Sequence, residues 1–408
     1  MSDKIAELSQ EGMWDWHDAR GFRRIVNVSG TMTALGGSVT GQAARDAMAG
    51  AMRHFVDMHQ LQARASRSIA GLTGAEAGFL TASASAGISL AIAGCMTGTD
   101  PARIEALPAD PGPRSTVAVQ LGHLCGYGAP IETAIALAGA TPRPIGQATH
   151  VADYQLAGAL DESVAAGLYI VSHHVVSYGQ IPLPRFVEIC HAAGVPVIVD
   201  AASEYDLTGF LAAGADLVIY SSHKFLGGPT GGIVAGRRDL VRAAYMQNLG
   251  IGRGMKIGKE SIAGIIATLD EWASRDHDAI RKTEMSVLEH WRDAISDIEG
   301  VDPVIVRDPT GNPLSRLQVN IDPARAGATA ATLVRVFAGQ DPALIVRDHE
   351  AELGYFQLDP CNLLPGQEIL VADMLRDVLT RAARFETEPG DSDRARNAGA
   401  AGYMSWLA

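Results

Sequence analysis

Residues 195–236, VPVIVDAASEYDLTGFLAAGADLVIYSSHKFLGGPTGGIVAG, decide the fold. The stretch contains three short apolar runs, which are VPVIVD at 195–200, ADLVIY at 215–220 and GGIVAG at 231–236. Runs of this length that alternate with helical patterns predict buried strands of a mainly parallel sheet. Ligands bind at the carboxyl ends of the strands in such a sheet. Asp200 and Lys224, which follow two of these runs, are therefore the first candidates for chemistry.

The same alternation continues towards the N-terminus. Two more strand-like runs are TVAVQ at 116–120 and LYIVSHH at 168–174, and two stretches with helical spacing are IETAIALAGA at 131–140 and LPRFVEICHAAG at 183–194. Gly139 and Gly194 stand where these two helices should end, and Gly214 stands where a further helix should end, as C-capping glycines do. The pattern predicts an α/β fold in which helices cover both faces of a large parallel sheet.

After about residue 255 the pattern changes. A helical stretch runs from Lys259 to Ile298. It is followed by strand-like runs at 303–306, 316–320, 343–347 and 355–359 and by a helix at about 367–384. The predicted organisation is an N-terminal segment 1–24, a large domain 25–258, a connecting helix with a small α+β domain 259–385, and a tail 386–408. We expect the tail to be mobile until Tyr403–Trp406, which is a candidate docking segment.

Composition excludes several classes of protein. The chain has 408 residues, of which 47% are hydrophobic and 19% charged, so it has enough apolar surface to build a large core. The net charge of −13 disfavours nucleic acids and anionic membranes as partners. The four cysteines form no C-x-x-C pair, and neither a basic leader nor an apolar run of ~20 residues is present. These features predict a cytoplasmic protein without a membrane partner.

Lys224 is one of only five lysines among 33 basic residues. It lies in YSSHKFLGGPTGG, directly after a predicted strand and among small residues. Burial in such a place lowers the pKa of the amine and makes it nucleophilic, which a Schiff-base lysine requires. The alternative is a surface lysine that keeps its ammonium in water.

Asp200 supports the catalytic interpretation of Lys224. It ends the run VPVIVD and precedes Lys224 by 24 residues. A carboxylate at this position can keep the pyridine nitrogen of pyridoxal phosphate protonated, so that the ring withdraws electrons. The alternative role is a helix N-cap, which is common for aspartate.

A phosphate site is predicted in TASASAGISL at 81–90. The segment passes from a strand into an apolar helix, where backbone N–H groups and the hydroxyls of Ser83 and Ser85 can bind an anion. Ser221 can supply another donor. An ordinary loop of small residues is the alternative.

Three histidines follow predicted strands. His123 follows 116–120, where its flat ring can stack on a cofactor, and His173 and His174 end the run 168–174. Each also fits an ordinary structural role. No other ligand stands at metal-binding spacing with them, so no metal site is predicted.

Several motifs resemble a known family. SSHKFLGGPTGG, VIVDAASEYDL and NVSGTMTALGGS are similar to the fold-type I pyridoxal-phosphate enzymes related to bacterial selenocysteine synthase. GHLCGYGAPIETAIALAGA, SHHVVSYGQIPL, LTGAEAGFLTASASAGI and GIGRGMKIGKE resemble the subgroup of D-glucosaminate-6-phosphate ammonia-lyase-like proteins. The resemblance covers roughly residues 20–385 and implies a seven-stranded-type sheet domain with a small α+β domain.

The resemblance also implies roles for individual residues. Lys224 would bind the cofactor covalently, Asp200 would pair with its pyridine nitrogen, and His123 and Ala202 would lie on its two faces. The residues around the phosphate would be Ser83, Ala84, Ser85, Ser221 and His223.

Arginines are the candidates for binding the substrate. Arg347 in ALIVR is the first candidate for a substrate carboxylate, because a guanidinium offers a bidentate fork. Arg64 and Arg253 are further candidates, and for each arginine the alternative is a surface position. In DPCNLLPG, Cys361 stands where the family often has an arginine, which argues against a second anionic group such as a sugar phosphate.

Three functions compete. The first is α,β-elimination from a hydroxylated amino acid to a 2-keto acid and ammonia, with Lys224 as base and His174 as acid. The second is a racemase, an aldolase or a selenium transferase acting on seryl-tRNA, and the third is a non-catalytic scaffold. Asp200 and Lys224 together disfavour a scaffold, which needs no electron-withdrawing ring opposite an amine. We therefore predict a pyridoxal-phosphate-dependent lyase that acts on a small-molecule amino-acid substrate and forms a homodimer or higher homo-oligomer.

Overall fold

The computed structural model describes residues 12–388 and 390–407 and divides the chain into two compact units. The central unit is Ser38–Arg275, and the terminal unit combines the chain up to Gly37 with the chain from Asp276. The N-terminal part belongs to the terminal unit because strand β1 (Ile25–Val28) pairs in parallel with β11 (Ala343–Val346). The units thus divide the chain differently from the predicted segments 25–258 and 259–385.

The central unit is built on a seven-stranded sheet. Its strands are β2 (Ala77–Thr81), β3 (Thr116–Gln120), β4 (Thr141–Ile145), β5 (Val164–Ile170), β6 (Val197–Asp200), β7 (Leu217–Ser221) and β8 (Gly232–Gly236). Their order is β2-β8-β7-β6-β5-β3-β4. Strand β8 runs antiparallel to both neighbours, and the other pairs are parallel. This architecture confirms the predicted mainly parallel sheet.

Helices cover both faces of this sheet. They are α2 (Gln42–Met52), α3 (Met58–Thr73), α4 (Ala84–Thr97), α5 (Pro101–Ala106), α6 (Ile131–Leu137), α7 (Asp153–Ala159), α8 (Leu183–Ala192), α9 (Gly209–Ala212), α10 (Arg238–Met246) and α11 (Lys259–Trp272). Successive strand residues enter opposite cores: Val197 and Val199 belong to one apolar cluster and Ile198 to the other. This alternation follows from the two-residue period of a strand.

The terminal unit is an α+β structure with its own core. Besides β1 and β11 it contains α1 (Asp15–Asp18), α12 (His277–Ile295), β9 (Val301–Arg307), β10 (Ser315–Ile321), α13 (Pro323–Ala326), α14 (Ala330–Gly339), β12 (Tyr355–Leu358), α15 (Gln367–Thr380) and α16 (Asp391–Ser405). Strands β12, β10 and β9 form an antiparallel sheet in that order. Trp291, Phe337 and Phe356 are buried in the core beneath it.

One predicted helix was wrong. The single helix over 259–298 is two helices, because Asp276 caps a new start by accepting a hydrogen bond from the N–H of Ala279 at 2.9 Å. The tail contains α16, whose buried Asp391 pairs with Arg335 at 2.8 Å, and the mobility of the tail stays a prediction. Tyr403–Trp406 ends this helix with exposed aromatic side chains, and its docking stays a prediction.

One strand was predicted four residues C-terminal to its position in the structure. The run 168–174 was expected to be a strand, whereas β5 is Val164–Ile170. Ile170 pairs with Asp200, where the neighbouring β6 ends, and Val171 makes one last backbone hydrogen bond to Asp200 O at 2.9 Å. His173 and His174 therefore follow the strand instead of ending it. None of the described helices is long and apolar enough to cross a membrane.

Candidate active site

Lys224 and Asp200 follow neighbouring strands of the central sheet. Asp200 is the last residue of β6, and Lys224 comes three residues after the end of β7, which pairs with β6 in parallel. Both residues therefore lie at the carboxyl edge of the sheet, where α/β proteins bind ligands.

The amine of Lys224 is held by a side chain that the sequence analysis did not name. Its Nζ donates a hydrogen bond to Ser203 Oγ at 2.5 Å. Burial lowers the pKa of Lys224, and the carboxylates of Asp200 and Glu204 oppose this effect. A buried amine with a lowered pKa is suited to act as a nucleophile and as a base.

Asp200 is a buried carboxylate that is 8% exposed. Burial raises its pKa, while the nearby Lys224 and the N–H of Ala202 lower it. Ala202 donates this N–H to Asp200 Oδ1 at 3.1 Å, and its carbonyl oxygen accepts a hydrogen bond from the N–H of Ser221 at 3.2 Å. The loops after β6 and β7 are thus tied together at the site.

A group of hydroxyls lies at the start of α4. Ser83 is the N-cap, and its Oγ accepts a hydrogen bond from the N–H of Ala86 at 3.0 Å. Ser85 Oγ lies 2.8 Å from Tyr127 Oη. A Cβ on Gly232 would lie 2.1 Å from the carbonyl oxygen of Ser83, so only glycine lets β8 approach this turn.

Ser221 and His223 continue the polar surface after β7. Ser221 Oγ lies 3.0 Å from His223 Nδ1, and both side chains are buried. The carbonyl oxygen of His223 accepts a hydrogen bond from Ser38 Oγ at 2.8 Å. Burial and the neighbouring Lys224 lower the pKa of His223, which favours its neutral form.

His123 is a buried, neutral ring. It is 2% exposed, and burial lowers its pKa to about 4. Its Nδ1 accepts a hydrogen bond from the N–H of Ile170 at 3.2 Å, and Tyr169 packs edge-on against it with ring centroids 4.6 Å apart. These contacts fix the plane of the ring next to the end of β5.

The other candidates in the central unit lie in more open surroundings. His174 is exposed, and its N–H donates to Ser172 Oγ at 3.2 Å. Arg64 already has a carboxylate partner, since its NH2 lies 2.7 Å from Asp270. Arg253 is exposed in a short 3-10 helix, Ile251–Met255.

Arg347 is the buried candidate in the terminal unit. It is 7% exposed, its Nε has no hydrogen-bond partner, and no carboxylate in the described part of the chain lies within ion-pair distance. Burial and the nearby Arg316 lower the pKa of Arg347. The carboxylates of Glu350, Asp359 and Asp308 oppose this effect. Arg316, in contrast, pairs with Asp308 at 2.6 Å and Asp359 at 3.0 Å. A buried cation without a direct ion-pair partner is costly, so Arg347 is suited to bind an anion.

Cys361 stands close to this ion-pair network. Its N–H donates to Asp359 Oδ1 at 3.0 Å, and burial raises the pKa of the thiol well above its usual range. The thiol at this position is therefore neutral and adds no charge to the network.

The sequence analysis missed three residues of the central site: Ser203, Glu204 and Tyr127. Ser203 and Glu204 directly follow the DAA segment that begins at Asp200. Their closeness in sequence to Asp200 could have marked them as candidates. Tyr127 stands in the GYG segment after His123, and its contact with Ser85 joins two distant parts of the chain.

These residues fit pyridoxal phosphate in chemistry. The central unit contains four suitable groups. They are an amine that can bind an aldehyde, a buried carboxylate that can accept a ring N–H, a flat neutral ring, and a helix N-terminus lined by hydroxyls. Each group matches one functional group of the cofactor. A mainly parallel seven-stranded sheet that carries this set defines the class of fold-type I pyridoxal-phosphate enzymes.

Comparisons with known proteins agree with this class. Residues 131–299 match the family model "SelA: L-seryl-tRNA selenium transferase". The chain is 34% identical over 363 residues to D-glucosaminate-6-phosphate ammonia lyase of Salmonella typhimurium, covering 89% of this chain and 97% of the relative. It is 36% identical over 358 residues to 5'-C-glycyluridine monooxygenase-decarboxylase of a Streptomyces species, covering 87% and 90%.

A solved structure of D-glucosaminate-6-phosphate ammonia-lyase superimposes with a TM-score of 0.81 at 34% identity. The match covers 90% of this chain and 98% of the solved chain. The chain therefore belongs to the selenocysteine synthase-like family of fold-type I pyridoxal-phosphate enzymes, which includes the ammonia-lyase. It is an enzyme of the lyase type.

Proposed function

We propose that the protein uses pyridoxal phosphate to catalyse α,β-elimination from a hydroxylated amino acid, which yields a 2-keto acid and ammonia. The observation that carries the proposal is the pair formed by the half-buried Lys224 and the buried Asp200, after neighbouring strands of the sheet. The name of the Salmonella relative, an ammonia lyase, supports the type of reaction.

The cofactor would be held by residues of the central unit. Lys224 would bind it covalently, Asp200 would accept the ring N–H, and His123 and Ala202 would contact its faces. The phosphate would lie among Ser83, Ala84, Ser85, Ser221 and His223. When bound, pyridoxal phosphate withdraws electrons from the α-carbon of an amino acid and so weakens the bonds to that atom.

Asp200 supports the cofactor through its charge. In the structure it accepts one backbone N–H and interacts with the Lys224 ammonium. If covalent attachment removes the charge of that amine, the buried carboxylate needs another positive partner. A protonated ring nitrogen supplies this partner, so burial of Asp200 favours the electron-withdrawing form of the cofactor.

Lys224 would move the proton in the first chemical step. Its lowered pKa favours the neutral amine, and neutral Nζ can accept the α-proton of the substrate. A hydroxide is a poor leaving group and needs a proton donor. We propose His174 as this donor, because it lies in the exposed segment that follows β5.

Arg347 would bind the substrate carboxylate. Support comes from the terminal unit, where its guanidinium is buried and its Nε lacks a hydrogen-bond partner. Arg253 stays a further candidate because its side chain is exposed, whereas Arg64 is engaged by Asp270. The neutral Cys361, which stands where the family often has an arginine, supports a substrate with a single anionic group.

We also propose that the enzyme is a cytoplasmic homo-oligomer that does not act on nucleic acid. The four cysteines are all free thiols, which fits a reducing compartment. The net charge of −13 opposes binding to a phosphate backbone.

A screen of D- and L-hydroxyamino acids tests the reaction. We expect ammonia and 2-keto acid to appear in equal amounts and without oxygen uptake. Exchange of the α-proton with solvent without keto acid would indicate a racemase, and aldehyde release would indicate an aldolase. Oxygen uptake with loss of carbon dioxide would instead match the reaction type in the name of the Streptomyces relative.

A further inference from the structure

Backbone hydrogen bonds in the loop after β6 hold Ser203 next to the Lys224 amine. The loop after β6 is fixed by the Ala202 N–H on Asp200 Oδ1 at 3.1 Å and by the Glu204 N–H on the carbonyl oxygen of Ala201 at 3.0 Å. Ser203 lies between these two hydrogen bonds, and its Oγ is 2.5 Å from Lys224 Nζ. The serine hydroxyl therefore has a defined position before any ligand binds.

A neutral acceptor is chemically suited to this place. The lysine side chain has four rotatable carbon–carbon bonds, and a hydroxyl that accepts one N–H selects one direction for Nζ. A carboxylate at the same distance would stabilise the ammonium, raise the pKa of the amine and leave less of it unprotonated to accept a proton. Ser203 adds no charge to the groups that already face the amine, which are Asp200, Glu204 and His223.

We propose that Ser203 is a positioning residue for proton transfer at Lys224. Whenever Nζ is not covalently bound, Ser203 Oγ accepts one of its N–H bonds and leaves the nitrogen lone pair directed at the substrate. In the step itself, the Cα–H bond of the amino acid would break and an N–H bond would form at Nζ, while pyridoxal phosphate, when bound, would supply the acceptor for the electron pair. This inference rests on the proposed function.

The first test measures the free amine without catalysis. Protein freed of cofactor by dialysis against hydroxylamine is acetylated with limiting acetic anhydride from pH 6 to 11, and mass spectrometry gives the labelling of Lys224 relative to the exposed Lys282. Because the ammonium loses its acceptor, Ser203→Ala should lower the apparent pKa of Lys224 by roughly one pH unit. Ser203→Thr, which keeps a hydroxyl, should restore the wild-type profile.

Ser163→Ala is the matched control. Ser163 is another half-buried serine of the central unit whose Oγ accepts from a cationic group, Arg143 NH2 at 3.0 Å, but it precedes β5 at the opposite edge of the sheet. It should leave the Lys224 profile unchanged. Equal profiles for the wild type and Ser203→Ala, with circular dichroism showing that both are folded, would overturn the proposal.

The second test uses the holoenzyme and an α-deuterated substrate. In Ser203→Ala, kcat should fall about 10- to 100-fold with little change in KM, and the isotope effect on kcat should increase, because proton abstraction becomes slower. An unchanged isotope effect would contradict the positioning role. If the wild type eliminates nothing from any hydroxyamino acid, the proposed function fails, while the labelling test still decides the role of Ser203.

Discussion

At the scale of single residues, the Lys224 amine donates a hydrogen bond to Ser203, and burial lowers its pKa. We predict that borohydride reduction of the protein with pyridoxal phosphate labels the peptide that contains Lys224. Lys224→Ala should lose this label and lower the elimination rate by about 10³-fold or more, since both the attachment site and the base are lost.

Lys256 and Lys259 provide the control for this labelling. Lys259 is already held by a hydrogen bond from its Nζ to the carbonyl oxygen of His54. Replacing either lysine by alanine should leave the label on the Lys224 peptide. A pyridoxyl group on Lys256 or Lys259 in the wild type would refute the assignment.

Arg347 gives a second prediction at this scale. Arg347→Lys should raise KM for the amino acid about 10- to 100-fold with a smaller change in kcat, because an ammonium cannot form the two parallel hydrogen bonds of a guanidinium. Steady-state kinetics measure both constants. Arg376→Lys, which changes an exposed arginine paired with Asp297 at 2.7 Å, is the control. Equal KM values for the two variants would remove Arg347 from substrate binding.

Residues that follow a recognisable strand could be predicted from the sequence. Residues whose contacts depend on the packing of loops could not. Asp200 and Lys224 follow apolar runs whose ends are visible in the sequence, so their position at the sheet edge was predictable. Nothing in the sequence distinguishes Ser203 from other loop serines, because its contact with Lys224 depends on how two loops pack. The burial of Arg347 likewise depends on its surroundings in the folded terminal unit.

At the scale of elements, the end of β5 shows why a correct strand can be misplaced. The apolar run continues beyond Ile170, so local composition could not mark the end. The end is set by β6, which offers no further pairing after Asp200. In contrast, Gly139, Gly194 and Gly214 were predictable helix ends, and each has a positive φ, between 68° and 98°.

The contact between β8 and the start of α4 provides the prediction at this scale. In Gly232→Ala the added Cβ would meet the carbonyl oxygen of Ser83, so β8 and the helix start must move apart. We expect a loss of about 1–3 kcal/mol in the free energy of unfolding and a weaker affinity for pyridoxal phosphate. Denaturant titration and fluorescence titration of the cofactor measure the two effects.

Gly71→Ala is the control for this substitution. Gly71 lies within α3, and a Cβ there would have no neighbour within 4 Å. Alanine should therefore stabilise the helix by roughly 0.5–1 kcal/mol and leave cofactor affinity unchanged. If Gly232→Ala also stabilises the protein, the turn at Ser83 can move to make room for the added Cβ, and the prediction is wrong.

At the scale of the whole molecule, stability should depend on pH through Glu284 in α12. Burial raises the pKa of Glu284 to about 7, although Arg281 at 2.8 Å opposes this shift. The folded state then binds more protons than the unfolded state between about pH 4.5 and 7. The free energy of unfolding should therefore fall as the pH rises through this window, by on the order of 2–3 kcal/mol, and level off above it.

Thermal unfolding at a series of pH values measures this dependence. Glu284→Gln should flatten the slope between pH 4.5 and 7, because the neutral amide does not titrate. Glu289→Gln, a change at an exposed position of the same helix, should keep the wild-type slope. An identical slope in all three proteins would show that other groups control the stability.

The net charge of the molecule leads to the last prediction, which concerns tRNA. Part of the chain matches the L-seryl-tRNA selenium transferase model, so binding of seryl-tRNA is the relevant alternative to elimination. Binding to a phosphate backbone depends on basic groups that replace counterions, and this chain has 33 lysines and arginines against 46 acidic residues. In filter binding at 50 mM salt we expect affinity for seryl-tRNA no tighter than about 10⁻⁵ M and equal to that for uncharged tRNA. Tight binding that weakens steeply with salt would contradict the prediction and favour group transfer on tRNA over elimination from a free amino acid.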